Sequence, residues 1–257
     1  MTGIDIARLA RTLDDAAANA KAIRQLSDKE TLTEAQGYDV QAASILRRIA
    51  RGEKRVGVKM GFTSRAKMIQ MGIDDMIWGR LTDKMVIEDG GTISLADYVH
   101  PRVEPEIAFL LARPLAGTVT GAEALAAVEA VAPAMEVIDS RYRNFKFSLA
   151  DVVADNCSST GFVVGPWQDS DADLTNLGMI LEVNGRPRQI GSSAAILGNP
   201  VRALVAAARL STAAGEPLRA GWIVMAGGAT AAEALSAGDY VRNSVQHLGT
   251  VAFSVAP

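Results

Sequence analysis

VEPEIAFLL, residues 103–111, is the stretch that decides the fold, because its pattern is that of a β-strand with two carboxylates on one face. Residues i and i+2 of a strand point to the same side, so Glu104 and Glu106 stand next to each other. The same face continues with apolar residues, which places the two carboxylates at the rim of a buried surface. Pro105 has no backbone N–H, so the start of this strand is not expected to be paired on both sides.

Two neighbouring carboxylates repel each other unless they share a proton or bind a cation. A third acid, Glu136, lies in the apolar strand AMEVIDS (134–140), where a buried charge needs a partner. Three carboxylates and water suit Mg²⁺ or Mn²⁺. Two alternatives stay open at this point: Glu104 and Glu106 are simply exposed strand residues, and Glu136 pairs with a buried arginine such as Arg141.

A second strand, RVGVKMG (55–61), alternates larger apolar residues with small ones. Lys59 shares a strand face with Gly57 and Gly61, so its long side chain projects with little beside it. The alternative is a surface lysine, which is the usual state of this residue type.

Helix boundaries and turns are marked elsewhere in the chain. A capping box at Thr33 and Gln36 predicts a helix over about residues 34–51, and AEALAAVEAVA (122–132) predicts another that Pro133 ends.

The Asn-Gly pair inside MILEVNGRPRQI (179–190) predicts a β-hairpin. The Asn199-Pro200 pair predicts the start of a helix that ends near Gly215. We therefore predict an α+β protein in which a helical region, residues 1–55, packs on a mixed β-rich domain, residues 56–257, as one structural unit.

Composition excludes several functional classes. The 257 residues contain 26 Lys and Arg against 29 Asp and Glu, and this net charge of -3 argues against a nucleic-acid surface. Apolar runs are too short for a membrane span, and the N-terminus lacks the apolar core of a signal peptide. A single cysteine, Cys157, fits a reducing compartment, so a cytoplasmic location is expected. His100 and His247 lack a zinc-ligand spacing.

Several motifs together carry a family resemblance. In their order and spacing over about residues 40 to 255, they resemble the hydratase/decarboxylase branch of the fumarylacetoacetate hydrolase superfamily. These motifs are VKMGFTSRAKM (58–68), GRLTDKM (79–85), HPRVEPEIAFLL (100–111), AMEVIDSRY (134–142), ADNCSSTGFVVG (154–165), LGNP (197–200) and AGGATAA (226–232).

The resemblance implies a fumarylacetoacetase C-terminal-domain-like fold with a mixed β-roll core. It implies a divalent metal, usually Mg²⁺ with Mn²⁺ as an alternative, and no organic cofactor. The positions implied as metal ligands are Glu104, Glu106 and Glu136, and the implied catalytic residue is Lys59. Candidate substrate-binding residues are Arg141, Asn156 and Ser158, with an ion pair between Arg141 and Asp139 or another acid as the alternative for the arginine.

One local difference favours decarboxylation within this branch. Ile77 stands where the hydratases carry an acid able to serve proton transfer or water addition, and a decarboxylase benefits from an apolar pocket around the departing carboxylate. The expected reaction converts 2-oxo-3-hexenedioate to 2-hydroxypenta-2,4-dienoate and carbon dioxide. The alternatives are a 2-hydroxypenta-2,4-dienoate hydratase and a non-catalytic metal-binding scaffold subunit. Expected partners are a small 2-oxo dicarboxylate, the hydratase of the same pathway, and further copies of this chain in a homo-oligomer.

Overall fold

A computed structural model describes residues 4–65, 68–69 and 72–257. Residues 1–3 of the predicted helical region, and Ala66 and Lys67 of the VKMGFTSRAKM motif, lie outside the described residues.

The described residues form α-helices near the N-terminus, followed by two β-sheets with further helices between their strands. The α-helices are α1 (Ile6–Ala18), α2 (Glu34–Ala50), α3 (Gly121–Ala126), α4 (Leu149–Ala154) and α5 (Val201–Ala213). The strands are β1 (Arg55–Gly61), β2 (Ile77–Thr82), β3 (Val86–Ile87), β4 (Thr92–Ser94), β5 (Arg102–Leu111), β6 (Val128–Ile138), β7 (Ser159–Val164), β8 (Gln168–Asp169), β9 (Gly178–Val183), β10 (Arg186–Ser192), β11 (Ile223–Met225), β12 (Glu233–Ala234), β13 (Tyr240–Val245) and β14 (Gly249–Ala256).

The larger sheet is mixed and holds the strands singled out in the sequence. Its order is β2-β1-β11-β5-β6-β7-β3, with β12 paired to β5 and β8 paired to β6. The smaller sheet has the order β10-β9-β13-β14-β4. A core that joins Val103 and Met135 of the larger sheet to Val241 and Phe253 of the smaller one holds the two sheets together. The mixed α+β architecture is as predicted.

The N-terminal helices begin as the sequence indicates. The Thr33 hydroxyl accepts a hydrogen bond from the Gln36 backbone N–H, and the Gln36 side chain accepts one from the Thr33 backbone N–H at 2.9 Å. Leu9 and Val40 pack against Tyr142 of the larger domain. We propose on the strength of this shared core that residues 1–55 and 56–257 form one structural unit.

One predicted helix is wrong in extent. The run 122–132 was expected to be helical as far as Pro133, but α3 ends at Ala126 and strand β6 begins at Val128 and continues through Pro133. Strand pairing outweighs the helix propensity of the alanines here. Pro133 lies where the neighbour of β6 changes from β8 to β7, so a strand accommodates the proline at this point.

The other turn and helix predictions are confirmed. Asn184 and Gly185 both have positive φ, at 54° and 72°, and join β9 to β10 as a hairpin. The Asn199 side chain accepts a hydrogen bond from the Val201 N–H at the start of α5. Among the described residues, no helix has the length and apolar character needed to cross a membrane.

Candidate active site

Three carboxylates converge on one face of the larger sheet. Glu104 and Glu106 lie on the same face of β5, and Glu136 of β6 is the cross-strand partner of Glu104. One oxygen from each of the three groups lies within 4.8 Å of the others. Pro105 occupies the part of β5 between its pairings with β11 and β12, so the strand is incompletely paired there, as expected.

Burial makes this cluster unusual. Glu106 and Glu136 are fully buried and Glu104 is partly buried, so the exposed-glutamate alternative is wrong. Glu106 Oε2 accepts a hydrogen bond from the Gly227 N–H at 2.8 Å. Glu106 Oε1 and Glu136 Oε1 have no hydrogen-bond partner in the part of the chain that the structure describes. Buried polar atoms without a partner are costly, so these oxygens point to a ligand.

Lys59 lies across the sheet from Glu136 and contacts it. Its Nζ is 2.8 Å from Glu136 Oε2 and donates a hydrogen bond to the Cys157 carbonyl at 3.2 Å. The strands that carry the two residues are separated by β11 and β5, about 14 Å in a flat sheet with ~4.8 Å per strand. The contact therefore depends on the curl of the sheet. Lys59 is 3% exposed, so the surface-lysine alternative is wrong.

The charges of the cluster shift its titration. Burial raises the pKa of Glu106 well above its usual value, and the charge of Glu136 raises it further. Burial also raises the pKa of Glu136, while Lys59 opposes the shift. For Lys59, burial acts to lower the pKa, but the carboxylates of Glu136 and Glu106 outweigh it and hold the pKa above its ordinary value. Lys59 is therefore an ammonium at neutral pH.

The residues fit a divalent cation. Oxygens of the three carboxylates lie close enough together to bind one ion, and a divalent cation would offset the repulsion between these groups. The two buried oxygens that have no hydrogen-bond partner in the described part of the chain are hard donor atoms of the kind that Mg²⁺ prefers. A Cβ atom at Gly228 would lie 2.8 Å from the Glu104 carboxyl carbon, so only glycine lets the backbone approach this carboxylate closely.

The two glycines after β11, Gly227 and Gly228, lie against the carboxylates of Glu106 and Glu104. Gly227 donates its N–H to Glu106, and its φ of 99° favours glycine. A Cβ atom there would lie 2.2 Å from the Thr63 hydroxyl. The sequence places these glycines in the AGGATAA motif but does not identify Glu106 as the group that Gly227 binds.

A left-handed turn brings the Cys157 carbonyl to Lys59. Asn156, Cys157 and Ser158 all have positive φ, at 50°, 53° and 59°. On β2, Gly79 is the register partner of Lys59, and a Cβ atom there would lie 2.7 Å from the Asn156 carbonyl oxygen. Gly79 therefore makes room both for the turn and for the lysine side chain. Burial raises the pKa of the Cys157 thiol to about 12, which fits a packing role for this cysteine.

Two of the candidate substrate-binding residues lie in this turn. The Asn156 amide is engaged by the backbone of Arg80, accepting from its N–H at 2.8 Å and donating to its carbonyl at 2.9 Å. Ser158 Oγ is buried and has no hydrogen-bond partner among residues 4–65, 68–69 and 72–257. Ser158 therefore has the freer side chain of the two.

Arg141, the third candidate, forms a buried ion pair with Asp155. Its Nε is 2.5 Å from Asp155 Oδ1, and its Nη1 donates to the Thr160 hydroxyl at 2.7 Å. The alternative that Glu136 pairs with Arg141 is wrong, because Glu136 pairs with Lys59. The alternative of an ion pair with another acid is confirmed, and that acid is Asp155.

Ile77 lies on the Lys59 face of the sheet. It is 3% exposed, pairs with Gly61 across β1 and β2, and packs with Val153 and Cys157. It therefore adds an apolar wall next to the turn that contacts Lys59.

Comparisons with known proteins agree with this geometry. Residues 57–256 match the family model described as the fumarylacetoacetate (FAA) hydrolase C-terminal. The chain is 59% identical over 249 residues to a 4-oxalocrotonate decarboxylase of Pseudomonas sp, covering 97% of each chain. It is 36% identical over 246 residues to a 2-keto-4-pentenoate hydratase of Paraburkholderia xenovorans (strain LB400), covering 94% of this chain and 91% of the relative.

A solved structure is similar over nearly the whole length. The 4-oxalocrotonate decarboxylase from Pseudomonas putida G7, complexed with magnesium and adipate, superposes with a TM-score of 0.94 at 40% identity and with 97% of each chain covered. The curled mixed sheet, the acidic cluster and these matches agree, and the chain belongs to the fumarylacetoacetate hydrolase C-terminal family.

Proposed function

We propose that this chain is a metal-dependent decarboxylase that converts 2-oxo-3-hexenedioate, also called 4-oxalocrotonate, to 2-hydroxypenta-2,4-dienoate and carbon dioxide. The observation that carries the proposal is the buried carboxylate cluster, in which two oxygens have no hydrogen-bond partner among the described residues and which an ammonium group contacts. The 59% identity to a 4-oxalocrotonate decarboxylase supports this choice of substrate.

The substrate is suited to decarboxylation without an organic cofactor. Its 2-oxo group is conjugated through the C3–C4 double bond to C5, which carries the departing carboxylate. When the C5–C6 bond breaks, its electron pair forms the C4–C5 double bond, the C3–C4 pair shifts to C2–C3, and the carbonyl pair moves to the C2 oxygen. Carbon dioxide leaves, and protonation of the C2 oxygen gives the dienol product.

Glu104, Glu106 and Glu136 would hold Mg²⁺, or Mn²⁺ in its place. A bound divalent cation supplies Lewis-acid stabilisation of the negative charge that develops on the C2 oxygen. The carboxylate of Glu106 is kept in place by the Gly227 N–H, and that of Glu136 by the Lys59 ammonium.

Lys59 would stabilise the developing enolate. An ammonium group has three N–H donors, and Glu136 and the Cys157 carbonyl take two of them. We propose that the third donates to the C2 oxygen of the substrate, where a preorganised donor lowers the barrier. Ser158 Oγ is a candidate for a substrate oxygen, because it is buried without a partner in the described part of the chain.

The test is a direct comparison of two reactions on metal-stripped protein, with and without added Mg²⁺. The substrates are 2-oxo-3-hexenedioate and 2-hydroxypenta-2,4-dienoate, with carbon dioxide and hydrated product measured separately. Magnesium-dependent release of carbon dioxide without hydration is expected. Hydration alone would replace the proposal with the hydratase, and tight metal binding without either reaction would favour the scaffold subunit.

We also propose two associations. The product is the substrate of a 2-hydroxypentadienoate hydratase, so a complex with that enzyme would pass the product on directly, and a homo-oligomer is expected as well. Sedimentation velocity of the chain alone and mixed with such a hydratase tests both. A monomer that sediments independently of the hydratase would contradict them.

A further inference from the structure

Gln41 is a buried polar residue that lies outside the region matched by the family model. It belongs to α2, whereas the family match begins at residue 57. Its side chain is 0% exposed, which for an uncharged amide requires hydrogen-bond partners. Nothing in the sequence pattern singles it out, because a glutamine in a helix is ordinarily exposed.

The Gln41 amide ties together two segments that surround Lys59. Nε2 donates to the Val153 carbonyl at 2.7 Å and lies 3.3 Å from the Trp78 carbonyl, while Oε1 accepts from Arg80 Nη1 at 2.6 Å. Trp78 and Arg80 are the residues on either side of Gly79, the register partner of Lys59.

The second segment, which contains Val153, leads directly to the hydrogen-bond acceptor of Lys59. Val153 is in α4, which is followed by the left-handed turn at residues 156–158. The Cys157 carbonyl of that turn accepts the hydrogen bond from Lys59 Nζ, and the Cys157 thiol donates to the Trp78 carbonyl at 3.1 Å. Gln41 therefore adds a link between β2 and α4 to the direct hydrogen bonds that join β2 to the turn, which are those of Asn156 with the Arg80 backbone and of the Cys157 thiol with Trp78.

We infer that Gln41 is a positioning residue for Lys59 and that the helical N-terminal region thereby takes part in catalysis. The inference rests on the proposed function, in which the third N–H of Lys59 must meet the C2 oxygen. Loss of the amide would leave the turn bonded to β2 through Asn156 and the Cys157 thiol but without the support of α4, so the Cys157 carbonyl would hold Lys59 less rigidly. The proposed metal ligands on β5 and β6 are not among these hydrogen-bond partners of Gln41 and should be unaffected.

The test compares Gln41→Met with Val40→Ala. Methionine keeps the size of glutamine without its hydrogen bonds. Val40 is the preceding residue of α2, is 0% exposed and packs in a cluster with α1, Tyr142 and Ala154, so its truncation weakens that packing without removing a hydrogen bond to β2. For Gln41→Met we expect kcat to fall by about 10-fold, with KM and Mg²⁺ affinity within about twofold of wild type. Val40→Ala should lower the melting temperature but keep kcat.

A second readout does not depend on turnover. The rate at which an amine-specific reagent labels Lys59, followed by mass spectrometry, should rise several-fold in Gln41→Met and stay at the wild-type value in Val40→Ala. If wild type is inactive on 2-oxo-3-hexenedioate, the proposed function fails, and the labelling rate alone then tests the positioning of Lys59. Wild-type kcat and labelling in Gln41→Met, or an equal loss of kcat in Val40→Ala, would overturn the inference. If Gln41→Met does not fold, Gln41→Glu serves, because it keeps the acceptor for Arg80 but lacks donors when ionised.

Discussion

Two buried ion pairs among the described residues differ in character. In the first, Arg141 and Asp155 form an ion pair, and the Arg141 side chain also donates hydrogen bonds to the Thr160 hydroxyl and the Asp155 carbonyl. In the second, Lys59 and Glu136 are in contact, yet oxygens of Glu136 and of the neighbouring Glu106 have no hydrogen-bond partner among the described residues. Both pairs are at least 95% buried.

The difference separates a structural pair from a functional one. A buried charge is tolerated when every polar atom has a partner, as at Arg141 and Asp155, and such a pair does not call for a ligand. Around Glu136, by contrast, two buried carboxylate oxygens have no hydrogen-bond partner among the described residues, which is typical of a ligand site. Fold stability and chemistry should therefore respond to different mutations.

The largest effect is expected from Lys59→Met. Removal of the ammonium should lower kcat by about 10³-fold, equivalent to about 4 kcal/mol of barrier, because no other donor replaces it at the C2 oxygen. Mg²⁺ affinity should stay the same or increase, because a positive charge next to Glu136 is lost. Turnover and Mg²⁺ titration calorimetry measure the two quantities. Lys54→Met, at an exposed lysine, is the matched control, and full activity in Lys59→Met would refute the proposed role.

The next effect concerns stability and comes from Arg141→Met. Asp155 would be left as a buried charge without its arginine, which should cost about 3–5 kcal/mol of unfolding free energy at pH 8. Burial raises the pKa of Asp155 to about 6 even though Arg141 opposes the shift. In the variant this pKa rises further.

The raised pKa of Asp155 determines how the stability difference between wild type and Arg141→Met changes with pH. When the pKa of a carboxyl group is raised on folding, the unfolding free energy of the protein decreases as the pH rises from the unfolded-state pKa to the folded-state pKa. Wild type completes this loss near pH 6, whereas Arg141→Met continues to lose stability above it. The gap between the two proteins in chemical denaturation should therefore be smaller at pH 5.5 than at pH 8. A gap independent of pH would contradict this account, and a large rise in KM in the folded variant would support the alternative role of Arg141 in substrate binding.

A smaller effect is expected from Ile77→Asp, which adds an acid to the Lys59 face. Carbon dioxide release should fall by about 10-fold, because a charge replaces part of the apolar wall near the departing carboxylate. Asparagine has nearly the shape of aspartate but no charge, so Ile77→Asn should reduce carbon dioxide release less than Ile77→Asp does. Unchanged release in Ile77→Asp would remove the local argument that distinguishes this chain from the hydratases.

Much of the site follows from residue spacing alone. The i, i+2 spacing of Glu104 and Glu106 places them on one face of a strand. Glu136 is an acid within an otherwise apolar strand, so its carboxylate requires a partner. Lys59 among glycines predicts a side chain with space around it, and the family resemblance assigns all four to one site.

What the sequence could not predict depends on contacts between distant segments. The Cys157 carbonyl is a backbone group, and it reaches Lys59 only because three consecutive residues adopt positive φ. The partner of Arg141 is chosen by the fold from several acids. The alanine-rich run before Pro133 fits a helix locally and becomes a strand because β5 pairs with it.

Calorimetric titration of Mg²⁺ into metal-stripped wild type and Glu106→Gln tests the central claim most directly. The glutamine keeps the volume and can still accept from the Gly227 N–H, but it removes one ligand charge. We predict that wild type binds the ion and that Glu106→Gln binds it at least about 30-fold more weakly, a loss of about 2 kcal/mol, with turnover lost in parallel and the fold retained by circular dichroism. Equal affinity in the two proteins, or Mg²⁺-dependent activity retained in Glu106→Gln, would contradict the assignment of this cluster as the metal site.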